Sequence, residues 1–98
     1  MTHEEIRELI RTNGFETEAL SCIEELSELQ KEITKAMRNK NGDRYAESNI
    51  DDMIYEIADV LITIDILKLL FHIHDNEIDY EIHFKEKRIK ERYLSKKD

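Results

Sequence analysis

Residues 50–71 read IDDMIYEIADVLITIDILKLLF, and the way this run folds decides how the chain folds. In its first half Ile50, Met53, Ile54, Ile57, Val60, Leu61 and Ile64 recur at steps of three and four, the period of one helix face. In its second half Ile62, Ile66, Leu69 and Leu70 occupy the other side, so the helix is apolar nearly all round. Such a helix is buried on every side. A chain of 98 residues has little to cover it with, because a domain this short buries only about 60–70% of its unfolded surface. The run therefore predicts a helix over 50–72 whose far half meets a second subunit. It is too short to span a bilayer and carries Asp65 and Lys68.

The flanking sequence is read outward from this helix. Upstream, Ala19, Cys22, Ile23, Leu26, Leu29, Ile33 and Met37 predict a second long helix over 16–39. Asn41-Gly42-Asp43 ends it, and a loop with Arg44 and Tyr45 leads to Ser48 or Asn49 as N-cap of the next helix. Before it, Thr2 and Glu5 fit a capping box that opens a short helix over 3–11, with Asn13-Gly14 as its stop. Downstream, Asp75-Asn76 makes a turn into a helix over 77–94, with Ile78, Ile82 and Ile89 expected inward. The chain has no proline and two glycines, too few for the turns of a sheet protein. The expected fold is all-α: one domain over 1–98, a four-helix bundle completed by homo-oligomerisation.

Net charge is −8, which argues against a nucleic acid or an anionic membrane as partner. The charge is segregated: residues 85–98 hold seven basic and three acidic side chains. Lys and Arg at a helix C-terminus complement its dipole. A single cysteine, Cys22, excludes an internal disulfide and is expected to act as a small core residue. The first residues show no basic stretch followed by an apolar run, so no secretory signal is expected and the localisation expected is cytoplasmic.

Two acidic clusters carry the chemistry. One is Glu24-Glu25-Leu26-Ser27-Glu28; the other is Glu56-Ile57-Ala58-Asp59. At about 100° per residue, Glu25 and Glu28 share one face of their helix, and Glu56 and Asp59 share one face of theirs. Measured from Leu26 and from Ile57, the two pairs fall roughly 100° and 160° round, in the same sense. A Glu-x-x-Glu pair is ordinarily a solvated face. On the third helix the flank also bears Tyr55, Ile62, Thr63 and Ile66, which makes Asp59 harder to dismiss. Four converging carboxylates would repel unless a cation or protons intervened. Oxygen donors without Cys or His suit Mg²⁺, or alternatively Mn²⁺, better than Zn²⁺. The di-iron bundle pattern needs Glu-x-x-His on two helices, and neither helix has it.

Glu24-Glu25-x-x-Glu28 followed by Glu56-x-x-Asp59 resembles the EExxE…ExxD signature of the MazG-like nucleoside triphosphate pyrophosphohydrolases, which are all-α proteins. IEELSELQKEITKAM and EIADVLITIDIL look like their motif surroundings. FKEKRIKERYL is similar to the Lys-x-x-Arg closing helix of short members, with Lys85 and Arg88 in those places. The resemblance covers about 16–94 and implies a MazG-like bundle. It implies hydrolysis of an NTP or dNTP to the monophosphate and pyrophosphate. Glu25, Glu28, Glu56 and Asp59 would hold Mg²⁺, and Glu24 would orient a ligand or a water. Short members are homodimers or homotetramers. Residues 1–15 match no motif of the family.

A carboxylate cluster cannot hold a triphosphate by itself. Lys85 and Arg88 are the first candidates for phosphate contact, with Arg44 and Lys40 behind them. Asp65 and Lys68 are expected to form a buried or interface ion pair. His72 and His74, two apart, point to different faces. Phe15, Tyr45, Tyr55 and Phe84 are expected to pack before they stack on a base. The competing reading is a non-catalytic helical module for homo-oligomerisation or protein interaction.

Overall fold

The computed structural model describes residues 1–38 and 49–94. They form α1 (His3–Asn13), α2 (Phe15–Arg38), α3 (Ile50–Leu70) and α4 (Asp75–Ile89), and α4 runs on into a π-helical turn, Lys90–Leu94. No strand occurs among the described residues. No helix among them is long and apolar enough to cross a membrane. The chain is all-helical, as the periodicity required. The expected stop at 41–43, the N-cap candidate Ser48, and Lys40, Arg44 and Tyr45 lie outside the described residues.

Local chemistry sets the helix ends. Thr2 and Glu5 make the full capping box: the Glu5 amide donates to Thr2 Oγ1 at 3.1 Å, and the Thr2 amide donates to Glu5 Oε1 at 2.8 Å. Gly14 alone separates α1 from α2, at φ 91°, a conformation that L side chains rarely adopt. Its amide donates to Ile10 O at 2.8 Å. At the far end of α3, His72 takes φ 55° while the Ile73 amide donates to Lys68 O at 2.8 Å. That is the Schellman arrangement with histidine where glycine is usual.

α2 and α3 form a hairpin, and α1 folds back across its open end. Ile6, at 1% exposure, packs with Cys22, Ile66 and Leu70 in a small core, with Leu9, Ile10, Ala19, Leu67 and Leu69 against it. The faces the two long helices turn to each other are not the expected ones. On α2 the less exposed positions include Glu18, Cys22, Glu25, Leu29, Glu32 and Ala36; on α3 they include Met53, Glu56, Asp59, Val60, Thr63, Ile66 and Leu70. The helices pair through their carboxylate flanks. The apolar stripes that the sequence placed inward are uncovered: Ile23, Leu26, Ile33 and Met37 on α2, and Ile54, Ile57, Leu61 and Ile64 on α3 are all exposed. Apolar surface on two sides of one helix can be covered on only one side by a single neighbour.

The fourth helix departs further from expectation. α4 buries no residue. Ile82 and Ile89, expected inward, are exposed together with Tyr80 and Phe84; among the described residues no other helix packs along α4. It is tethered at its start, where Lys68 Nζ lies 2.9 Å from Asp75 Oδ1 and 3.1 Å from Asp65 Oδ1. The expected Asp65–Lys68 pair therefore forms, but Asp65 is 56% exposed, so the pair is not buried. The molecule is correspondingly extended, with a radius of gyration of 17.5 Å where a compact chain of this length would have about 13 Å.

Candidate metal centre

The inner face of the hairpin carries the acidic groups. Glu25 sits one turn after Cys22 on α2, on the side held against α3. Glu56 and Asp59 lie on the facing side of α3. One carboxylate oxygen from each of Glu25, Glu56 and Asp59 falls within 4.8 Å of the others. Three of the four residues expected as metal ligands are thus brought together. Glu28 is not among the three. It is nearer solvent, 3.6 Å from Lys31 Nζ, but its charge acts on both Glu25 and Glu56.

Mutual repulsion and burial are visible in the proton affinities. Glu25 is held above the usual carboxylate range, first by burial, then by a hydrogen bond shared with Asp59 and by the charges of Asp59, Glu56 and Glu28. Glu56 is raised by burial and by Asp59, Glu28, Glu32 and Asp52. The charges named here as raising these two groups are all carboxylates. Glu56 Oε2 is buried without a hydrogen-bond partner among the described residues. A buried oxygen of that kind, in an all-oxygen donor set, fits a hard divalent cation.

The other expected site residues lie elsewhere. Glu24 is exposed on α2. Lys85 and Arg88 are exposed on α4, a helix that buries no residue. Two residues near the site escaped the sequence reading. Glu32 continues the α2 face at the next helical step beyond Glu28, and Asp52 lies one turn before Glu56 on α3. The same three- and four-residue periodicity, carried one turn further, would have found both.

Beside the carboxylates is a cleft of about 200 Å³ lined by Glu18, Cys22, Glu25, Asp59, Thr63 and Ile66. Ligand pockets usually measure about 300–1,000 Å³, so this cleft by itself is too small for a whole nucleotide. Cys22 is buried here, and burial with the charges of Glu18 and Glu25 pushes its thiol up, which leaves it a poor nucleophile. A scan against protein-family models finds no match, and comparisons with curated proteins and with solved structures find none.

Proposed function

We propose that this protein is a Mg²⁺-dependent hydrolase that converts nucleoside triphosphates, NTP or dNTP, to the monophosphate and pyrophosphate, and that it works as a homodimer or homotetramer. The observation that carries this reading is the convergence of Glu25, Glu56 and Asp59 from two helices to within 4.8 Å, in the places where the sequence resembles the MazG-like signature. These three residues would hold Mg²⁺, with Mn²⁺ as substitute, and Glu28, one turn along α2 from Glu25, would complete the ligand set. Bound there, the ion would neutralise charge on the phosphate oxygens as the anhydride bond breaks.

The remaining roles fall to the chain's own groups. One of the four carboxylates would also take a proton from the attacking water. Lys85 and Arg88 would contact phosphate. Because α4 leaves the body of its own chain, they would do so at the site of a partner copy. Glu24 would act only through a group brought to the outer side of α2.

Release of pyrophosphate from a panel of NTPs and dNTPs, with Mg²⁺ or Mn²⁺, tests the reading. The wild type should release it, and Glu56→Gln and Asp59→Asn should not, with unchanged far-ultraviolet circular dichroism. Activity retained in both variants would sink the site assignment. A second reading, a non-catalytic homo-oligomerisation module, is favoured by the uncovered apolar stripes of α2 and α3. Melting temperature separates the two, because a cation that binds only the native state raises it. No rise with Mg²⁺ or Mn²⁺, with or without a nucleotide analogue, would favour the module.

A further inference from the structure

A second cleft, of about 520 Å³, opens where α1 meets the end of α3 and the start of α4. Ligand pockets usually measure about 300–1,000 Å³, so this one takes a whole small organic molecule. It shares no lining residue with the cleft beside the carboxylates. Lys68, on its wall, lies nine residues past Asp59 on α3, about 13 Å further along the helix axis. α1 belongs to the part of the chain outside the MazG-like resemblance, so that resemblance assigns the cleft no role.

In a chain of net charge −8, this cleft has the opposite sign. His3, Arg7 and Arg11 line it at steps of four along α1, which puts them on one face. Lys68 and His72 line it from the end of α3, and His74 from the turn that follows. The single carboxylate in the lining, Asp75, reports the field. A hydrogen bond from Lys68 and the charges of Lys68, His3 and His74 hold it below its ordinary range. Glu4 and Glu8, which pair with the arginines, lie outside the lining, and all four side chains of those pairs are more than half exposed. Exposed pairs of this kind are weak, and a guanidinium has five N–H donors, so both arginines can turn to an anion in the cleft.

The rest of the lining is apolar. Ile10, Leu69 and Ile73 contribute to it, and so does Phe15, a half-exposed ring held edge-on by Phe71 at 5.4 Å. His72 adds a separate sign of use. Its φ of 55° is the conformation in which glycine is favoured, yet the chain keeps an imidazole there, on the wall of the cleft. Backbone strain of this kind collects at binding sites. Several cations converging beside an aromatic ring suit a dianion on a flat body better than a lone carboxylate. We propose that this cleft is a second binding site, for a small organic phosphate with a flat ring system, the chemistry of a nucleoside monophosphate. Arg7 and Arg11 from α1, with Lys68 and His72 from α3, hold the phosphate, and the ring system lies on Phe15. The site needs no divalent cation and does not depend on the reaction proposed above.

Titration calorimetry of the full chain with a panel of nucleoside monophosphates, all in chelator, tests the proposal. Inorganic phosphate and adenosine serve as probes of the two halves of the ligand. At least one monophosphate should bind about tenfold more tightly than either half. Arg7→Gln and Arg11→Gln, each removing a charge-assisted contact from an exposed side chain, should each weaken that binding about tenfold. His72→Gly should weaken it while raising the melting temperature, a pairing that a purely structural role would not give. Glu56→Gln should bind as wild type, because the carboxylate site takes no part. The proposal is overturned if no monophosphate binds more tightly than inorganic phosphate, or if both arginine variants keep wild-type affinity. Loss of binding in Glu56→Gln also overturns it, by placing the nucleotide at the carboxylates.

Discussion

His72 holds the left-handed conformation that ends α3, at φ 55°. A side chain there meets its own backbone, whereas glycine does not. His72→Gly should therefore stabilise the protein, by at most about 1 kcal/mol once the extra freedom of glycine in the unfolded chain is offset; chemical denaturation measures it. The carboxylates make a second residue-scale case. Glu25 and Glu56 both have raised proton affinity in the fold, so the native state keeps protons that the unfolded chain has released. Stability from these groups is present below the usual carboxylate range and is lost as pH rises through their raised values. Glu5 and Asp75 run the other way. A backbone hydrogen bond with Thr2 lowers Glu5, and a hydrogen bond with Lys68 lowers Asp75. Their stability is present at neutral pH and is lost as pH falls through the lowered values. With a chelator present, the melting temperature should decline from mildly acidic to neutral pH. Glu25→Gln should flatten that decline, and Mg²⁺ should restore the loss at neutral pH. A melting temperature that does not decline in the chelated wild type would contradict the electrostatics of the site.

At the scale of elements, α1 is the test of how the hairpin is closed. It holds on through Ile6, which reaches the core of Cys22, Ile66 and Leu70. An eleven-residue helix has little stability of its own. Ile6→Ala should cost about 2–5 kcal/mol and free α1 to exchange its amides early, which hydrogen exchange would resolve. All four helices were legible in the sequence, because apolar period, capping box and Asn-Gly stop each report on a few neighbouring residues. Their ends moved by a few residues at most: α1 and α4 are longer at one end, and α3 stops before the reversal at His72. Which face of each long helix meets the other was not legible. The apolar stripes centred on Leu26 and Ile57 argued for pairing through those stripes. The chain pairs instead through the flanks that carry Glu25, Glu56 and Asp59, because apolar residues such as Cys22, Ile66 and Leu70 share those flanks. For the site, helix spacing found the three carboxylates that converge. It did not reach Glu32, whose charge acts on Glu56 from one step further along α2.

For the whole molecule, the open question is what covers the rest. The wheel positions give a geometric answer. Both carboxylate flanks lie in the same rotational sense from their stripes, and the hairpin axis that exchanges two antiparallel helices preserves that sense. With the flanks facing each other, both stripes must then lie on one side of the hairpin. Ile23, Leu26 and Ile33 of α2 and Ile54, Ile57 and Leu61 of α3 thus form one apolar slab, with Leu61 at 64% and Ile54 at 60% exposure. Contiguous apolar surface of this kind marks an association site. Two such slabs face to face would make a four-helix layer with the acidic sites at its flanks, and α4 is left to reach across. Sedimentation velocity should show a dimer or larger species at all working concentrations. Leu61→Lys, a charge placed in the slab on an already exposed side chain, should drive the protein to monomer and lower its melting temperature. It should keep Mn²⁺ binding, because the carboxylates belong to one hairpin, but lose hydrolysis if, as proposed, α4 of the other copy supplies the phosphate contacts. A monomeric wild type would refute this assembly, and a monomeric Leu61→Lys variant with full hydrolysis would return Lys85 and Arg88 to their own chain.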